Sequence, residues 1–155
     1  MGEEVFMRQA IELAVENVNN GGGPFGAVIV KDGEVVATGV NRVVPNNDPT
    51  AHAEVSAIRA ACMKLGTFDL SGCVIYTSCE PCPMCLSALY WAGVERIVYG
   101  NTKEDAKAIN FDDSFIYDEI AKPYALRAIP IQNLMREEAL AGFRAWSEKA
   151  DKIEY

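Results

Sequence analysis

The sequence has few histidines, few basic residues and no long apolar run. It contains one histidine, and 14 Lys and Arg residues stand against 22 Asp and Glu, so the formal net charge is −8. Because nucleic-acid binders neutralise phosphates with a basic surface, this balance argues against a nucleic-acid partner. No run approaches membrane-spanning length, and the acidic start Met1-Gly2-Glu3-Glu4 lacks the features of a signal peptide. We therefore expect neither a nucleic-acid nor a membrane partner.

Cysteine is also scarce, and its number is odd. Three of the five cysteines lie between Cys79 and Cys85, a clustering that indicates metal chemistry in a reducing compartment and argues against a disulfide framework. We expect a cytoplasmic location. A length of 155 residues, half of them hydrophobic, is typical of one domain with a sizeable core. We expect residues 1–155 to form a single domain.

Apolar periodicity predicts helices that alternate with strands after an opening hairpin. The predicted helices cover residues 4–20, 51–65, a segment that begins near Cys82, 103–109, 111–119 and 136–149. The predicted strands cover residues 26–31, 35–40, 74–77, 94–99 and 128–131. The last strand contains Pro130, which an edge position tolerates. This pattern predicts an α/β fold, a three-layer α/β/α domain with a mixed five-stranded sheet.

A glycine-rich stretch separates the first helix from the first strand. Asn19-Asn20-Gly21-Gly22-Gly23-Pro24 lacks the following Lys-Ser/Thr of a phosphate-binding loop. We therefore interpret it as a turn into the sheet, with Phe25 as its one residue of possible further use. Asn41, at the exit of the second strand, is either a turn former or a ligand-binding residue on local grounds.

One histidine, one glutamate and two cysteines form the strongest motif. His52 precedes Glu54 by two residues, and Cys82 precedes Cys85 by three. One imidazole and two thiolates can hold zinc with a fourth position left for water, as in catalytic sites. A zinc-bound water has a pKa of about 7, and Glu54 is placed to carry its proton. The pattern H-x-E…P-C-x-x-C is the general signature of zinc-dependent base deaminases.

The other cysteines are interpreted as non-ligands. Cys79 competes for the metal because it lies three residues before Cys82, but it precedes Pro81 and is expected at the end of a strand. Cys62 lies on the apolar stripe of the second helix, and Cys73 has no partner at ligand spacing. The predicted ligand set is therefore His52, Cys82 and Cys85.

Three stretches, residues 23–30, 47–54 and 77–85, resemble the cytidine deaminase superfamily. A histidine at the first ligand position places the chain with the nucleobase, tRNA and riboflavin-pathway branches of that superfamily. Within these branches the chain most closely resembles the bacterial guanine deaminases. Residues 110–117 and the C-terminal Tyr155 carry this closer resemblance, with Asn110 as a small departure.

The resemblance implies hydrolytic removal of the 2-amino group of guanine, giving xanthine and ammonia, with one Zn²⁺ per subunit. It implies that Glu54 carries the proton of the attacking water and that Asp113 is a second proton shuttle near the leaving amine. Asn41 and the backbone amide of Ala53 would hold polar edges of the purine. Taken alone, residues 111–119 are more typical of an amphipathic surface helix than of a site, with Asp113 as a solvated carboxylate.

The resemblance also implies an aromatic enclosure and a dimer. Phe25 and Trp91 would sandwich the purine ring, although a tryptophan in a helix is also typical of core packing. Tyr155 would close the pocket. The C-terminal segment, about residues 150–155, would be exchanged between two subunits of a swapped homodimer.

Four alternatives stay open at this point. A guanosine or cytosine deaminase would share the chemistry and differ in pocket size. A tRNA adenosine deaminase shares both zinc motifs, but the acidic balance argues against it. A non-catalytic zinc module that binds a purine is disfavoured because a structural site has no use for Glu54. A riboflavin-pathway deaminase usually carries a reductase domain, for which the chain is too short.

Overall fold

A computed structural model describes residues 2–155 of the chain. Its internal packing divides the chain into two compact units, one that ends at Ser114 and one that runs from Phe115 to Tyr155. The two units are described separately below.

The first unit alternates helices and strands, as the apolar pattern predicts. Its elements are α1 (Glu4–Asn19), β1 (Gly26–Lys31), β2 (Glu34–Val40), α2 (Val43–Asn46), α3 (Ala53–Leu65), β3 (Cys73–Cys79), α4 (Pro83–Ala92), β4 (Arg96–Asn101) and α5 (Lys103–Ala108). Most bounds fall within two residues of the predicted ones. The four-residue helix α2 was not predicted, and α3 begins two residues later than expected.

The strands form one mixed sheet in the order β2-β1-β3-β4. β1 pairs antiparallel with both β2 and β3, whereas β3 and β4 are parallel. The β1–β2 hairpin turns at Asp32 and Gly33, whose φ angles are 52° and 78°. Positive φ at both central residues is the geometry of a type I′ turn, which favours an Asp-Gly pair.

Alternate side chains of β1 pack into two separate hydrophobic cores, because successive residues of a strand point to opposite faces of the sheet. Ala27 and Ile29 lie in a buried cluster with residues of α3 and α4. Val28 and Val30 lie in a second cluster with Ala10 of α1. Helices therefore cover both faces of the sheet, and the predicted three-layer α/β/α arrangement is confirmed.

The prediction of five strands is wrong, because the sheet has four. Residues 128–131 form no strand. The amide of Ala128 donates to Oε2 of Glu119 at 2.7 Å, and Pro130 has no amide proton to donate. Ile129 is 82% exposed. The amides of residues 128 and 130 are thus not available to a neighbouring strand, and the apolar side chain of Ile129 stays exposed.

The second unit consists of short helices joined by irregular chain. Its elements are the greater part of α6 (Ser114–Ala121), a 3₁₀ turn (Tyr124–Leu126) and α7 (Arg136–Glu148). None of residues 115–155 is buried. Its exposed large apolar side chains include Phe115, Ile120, Tyr124, Leu126, Ile129, Leu134, Phe143, Trp146 and Ile153. Across residues 2–155, no helix is both long and apolar enough to cross a membrane.

Candidate active site

His52 lies at the start of α3, where β2 and α3 approach closely. It is the N-cap of the helix, with extended backbone angles. A Cβ at Gly39 of β2 would overlap the backbone of Ala53 and Ala57, so this contact requires glycine at position 39. The amide of Arg42 donates to the carbonyl of Ala51 at 2.9 Å. The exit of β2 therefore fixes the residue that precedes His52.

The two cysteines of the motif lie at the start of α4, directly after β3. Cys82 is the N-cap, Pro83 occupies the first turn, and Cys85 follows in that turn. Proline suits this position because its missing amide proton has no intrahelical acceptor there. Cys85 is fully buried, and Cys82 is partly exposed.

The three predicted ligands converge on one point. Nδ1 of His52 lies 3.5 Å from Sγ of Cys82 and 3.5 Å from Sγ of Cys85, and all three ligand atoms lie within 4.8 Å of one another. Tetrahedral zinc with ordinary Zn–N and Zn–S bonds places these atoms about 3.6 Å apart. The residues therefore fit zinc in distance and in chemistry, since two thiolates and an imidazole favour it.

The ligand side chains polarise one another. A hydrogen bond from Cys85, together with His52, lowers the pKa of the Cys82 thiol. The same bond and burial raise the pKa of Cys85. The hydrogen bond with Cys82 raises the pKa of His52. Cys82 is thus the thiol that most readily becomes the thiolate a metal requires.

Glu54 projects from the first turn of α3 and is only 5% exposed. Burial raises the pKa of its carboxyl group, as expected when a charge leaves water. Its Oε1 accepts a hydrogen bond from Oγ1 of Thr77 at 2.9 Å. Thr77 is fully buried on β3, and its hydroxyl also lies 3.1 Å from the carbonyl oxygen of Cys79.

Thr77 was not predicted as a site residue from the sequence. The available signal was a threonine in a strand of buried character, two residues before the end of that strand. Such a residue must find a partner when it is buried, and here the partner is Glu54.

Asp112 and Asp113 are neighbours in sequence but differ in environment. Asp112 accepts hydrogen bonds from the hydroxyl and the amide of Ser114. Both bonds lower the pKa of its carboxyl group, and the bond from the hydroxyl has the larger effect. Burial raises the pKa of Asp113, and the charge of Cys82 adds to this rise. Oδ1 of Asp113 is buried without a hydrogen-bond partner among residues 2–155. A polar group of a ligand would satisfy this buried oxygen of Asp113.

Cys79 stands apart from the metal ligands, as expected. It is buried, and its Sγ lies 3.8 Å from the carbonyl oxygen of Thr102. Burial raises its pKa to about 12, which disfavours the thiolate. Within residues 2–155, the one group with metal-ligand spacing is His52, Cys82 and Cys85.

Two predicted substrate residues lie on adjacent backbone at the entrance to the sheet. The amide of Asn41 donates to the carbonyl of Phe25 at 3.2 Å. Oδ1 of Asn41 accepts from the amide of Val43 at 3.2 Å, so the amide NH₂ is the group that Asn41 can present to a ligand. The ring of Phe25 meets Phe111 edge to face, with centroids 5.1 Å apart.

The remaining predicted substrate residues differ in how far the structure constrains them. Ala53 is fully buried as the first residue of α3. Trp91 is 72% exposed near the end of α4, so the alternative interpretation as a core residue is wrong. Tyr155 belongs to the second unit and is 83% exposed. The substrate roles of all three stay predictions.

Comparison with known proteins places this site in a family. Residues 2–101 match the cytidine and deoxycytidylate deaminase zinc-binding region. The chain is 54% identical to guanine deaminase of Bacillus subtilis (strain 168), and the match covers 100% of both chains. It is also 42% identical to the tRNA-specific adenosine deaminase of Aquifex aeolicus, over 64% of this chain and 66% of that protein.

Solved structures agree with the sequence comparison. The crystal structure of guanine deaminase from Bacillus subtilis superposes with a TM-score of 0.97, covering 100% of this chain and 99% of the other. Guanine deaminase from Nitrosomonas europaea is 35% identical and superposes with a TM-score of 0.71, covering 93% of this chain and 84% of the other. The metal-binding part of the chain is thus similar to several deaminases, and the match to guanine deaminase of Bacillus subtilis extends over the full length.

Proposed function

The chain belongs to the cytidine and deoxycytidylate deaminase zinc-binding family, and from this premise we propose that it hydrolyses guanine to xanthine and ammonia. The observation that carries the choice of guanine is the match to a guanine deaminase over the whole of both chains. The zinc motif alone does not separate the substrates, because tRNA deaminases share it.

The reaction adds the oxygen of water to C2 of guanine and breaks the bond between C2 and the 2-amino nitrogen. His52, Cys82 and Cys85 would hold zinc, and bound zinc would supply hydroxide from water at neutral pH. Glu54 takes the proton that water loses and delivers it to a ring nitrogen. Its burial supports this role, because a raised pKa brings a carboxyl group closer to the operating pH.

Asp113 passes the second proton to the nitrogen that leaves as ammonia. This proton comes from the new C2 hydroxyl as that group becomes the carbonyl of xanthine, so Asp113 ends in the state in which it began. Two features support this proposal. Its Oδ1 is buried without a partner among the described residues, and its pKa is raised mainly by burial. A raised pKa favours the protonated form, from which a carboxyl group can donate to a leaving amine.

Asn41 recognises the polar edge of the base. Because Oδ1 of Asn41 already accepts from Val43, the side chain offers a donor to the substrate. The 6-oxo group and N7 of guanine are acceptors, whereas the 6-amino group of adenine is a donor. A site built around a donor rejects the base that lacks the matching acceptor. The backbone amide of Ala53 is proposed as a second polar contact.

Aromatic residues enclose the ring in this proposal. Phe25 and Trp91 contact its two faces, and Tyr155 closes the pocket. The fixed edge-to-face contact of Phe25 with Phe111 supports its part, and the exposure of Trp91 leaves its ring accessible to a ligand or to another chain.

We further propose a homodimer in which the C-terminal segment is exchanged between subunits. The second unit has no buried residue of its own, and exposed apolar surface of this kind marks interaction sites. The same feature supports a single domain over residues 1–155, because residues 115–155 lack a core. A cytoplasmic location is also proposed, supported by five free cysteines.

The decisive experiment measures ammonia release from guanine, guanosine, cytosine, adenine and an adenosine-containing tRNA anticodon stem-loop. We expect turnover of guanine alone. Zinc content is measured on the same preparation, so that an inactive protein without metal is recognised as such.

The other outcomes each identify a different function. Turnover of guanosine or cytosine would keep the chemistry and require a different pocket. Turnover of the stem-loop would indicate a tRNA adenosine deaminase, against the net charge of −8. Zinc-loaded protein that is silent on all five substrates would indicate a binding module.

A further inference from the structure

The side chain of Asn17 joins three segments beside the proposed base-binding residues. Asn17 lies in the last turn of α1 and is only 4% exposed. Its Nδ2 donates to the carbonyl of Gly23 at 2.8 Å and to the carbonyl of Asn41 at 2.7 Å. Its Oδ1 accepts from Nη1 of Arg42 at 3.0 Å. One carboxamide thus connects a helix end, the glycine loop and the exit of β2.

The surrounding loop is shaped to fit this carboxamide. A Cβ at Gly22 would overlap Nδ2 and Oδ1 of Asn17 and the carbonyl oxygen of Asn41. A Cβ at Gly23 would lie 3.0 Å from Cγ of Asn41. The amide of Gly22 donates to the carbonyl of Asn17 at 2.8 Å. The glycines are therefore required by close packing around the two asparagines, which supports the interpretation of this loop as a turn.

We propose that Asn17 is a positioning residue for base recognition and that it acts through Asn41. The inference rests on the proposed role of Asn41 in binding guanine. Both donors of the Asn17 amide are engaged, and one of them holds the carbonyl of Asn41 itself. The other holds Gly23, two residues before Phe25. Asn17 thereby sets the position from which the Asn41 side chain meets the base, without touching the base.

The test is a double-mutant cycle on guanine turnover. Wild type, Asn17→Asp, Asn41→Ala and the double variant are compared for kcat, KM, zinc content and thermal stability. Aspartate keeps the shape of Asn17 but replaces the NH₂ donor with an oxygen that repels both carbonyls. We expect Asn17→Asp to lower kcat/KM by about 10- to 100-fold, mainly through KM, because small displacements of binding groups have effects of this size.

The same substitution should have little effect in the Asn41→Ala background, since its route to the substrate is already removed. Residues that act through each other are non-additive in this way. Val30→Ala is the matched control, because it removes buried volume at the far end of β1. It should lower thermal stability while leaving kcat/KM of the folded enzyme within about twofold in both backgrounds.

Each other result overturns a different statement. Equal losses from Asn17→Asp in both backgrounds would reduce Asn17 to a structural residue and overturn the inference alone. An active wild type that is unaffected by Asn41→Ala would overturn the role of Asn41 and the inference with it. A zinc-loaded wild type without guanine turnover would overturn the proposed function. If Asn17→Asp does not fold, Asn17→Ala takes its place in the cycle, because it removes the same NH₂ donor without placing an oxygen beside the two carbonyls.

Discussion

The two units of the chain differ in how many of their residues are buried. The first unit contains every buried residue of the described chain, and its apolar core forms two clusters on either side of a mixed sheet. The second unit contains none and exposes aromatic and aliphatic side chains along its length. Burial of apolar area is the main favourable term in folding, so the first unit specifies its own structure.

The second unit has no apolar core of its own, so its exposed apolar side chains need a surface elsewhere against which they can be buried. Its polar contacts are short-range, such as those of Glu119 with Lys122 and with the amide of Ala128. Exposed ion pairs of this kind contribute little stability. We therefore propose that the first unit carries the chemistry and that the second unit serves assembly. Four experiments test this division, ordered from the largest expected effect to the smallest.

The largest effect is expected from the metal ligands of the first unit. His52→Ala or Cys82→Ala should abolish activity and lower zinc from about one ion per chain to well below that level, because two ligands cannot hold a catalytic zinc. Zinc is measured by atomic spectroscopy on dialysed protein. Cys79→Ala is the matched control, since it is a buried cysteine outside the ligand set. Equal zinc loss from this control would contradict our choice of ligands.

Glu54→Gln should separate catalysis from metal binding within the first unit. The amide is close in shape and can still accept from Thr77, so zinc content and circular dichroism should not change. Turnover should fall by several orders of magnitude, on the order of 10³ to 10⁴, because the proton carrier is lost. Turnover at the wild-type rate in this variant would contradict the proposed mechanism.

The division between the units predicts complementation between two defective chains. Truncation after Lys152 removes Tyr155 and should lower kcat/KM for guanine by about 100-fold, mainly by raising KM, if the tail closes the pocket. Co-expression of this truncated chain with Glu54→Gln should restore activity. In a swapped heterodimer the truncated chain keeps Glu54 and receives Tyr155 from its partner.

Random pairing of the two chains leaves about one site in four complete, which sets the expected recovery. The control mixes the truncated chain with a double variant that carries both Glu54→Gln and the truncation. Recovery should be absent there, since no chain supplies Tyr155. No recovery in the first mixture, with heterodimers present by mass, would mean that each tail serves its own chain.

The sequence predicted the first unit better than the second, and the reason is physical. The metal ligands, Glu54 and the helices and strands around them follow from local spacing and apolar periodicity. The fifth strand failed because the amide of Ala128 bonds to Glu119, nine residues earlier. Periodicity does not report such side-chain competition for the backbone.

The contacts that support the site also could not be predicted from local sequence patterns, because they join residues far apart in the chain. Asn17 meets the carbonyl of Asn41 across 24 residues, and Thr77 meets Glu54 across 23. Asp112 and Asp113 have the same side chain, and only their environments distinguish them. Asp112 accepts from the amide of Ser114, whereas Oδ1 of Asp113 is buried without a partner among the described residues. Resemblance to a family selected Asp113, whereas residue chemistry alone did not.

The smallest of the four effects is expected at Thr77. This substitution tests whether the first unit positions its own catalytic groups. Thr77→Val keeps shape and removes the hydroxyl that donates to Glu54, so kcat should fall by about tenfold, the value of one hydrogen bond to a charged group. KM and zinc content should stay unchanged, because Glu54 moves a proton and does not bind the base. Thr77→Ser is the conservative control and should recover most of kcat. If serine and valine reduce kcat equally, the methyl packing of Thr77 matters and its hydroxyl does not; if valine has no effect, burial alone holds Glu54 in place.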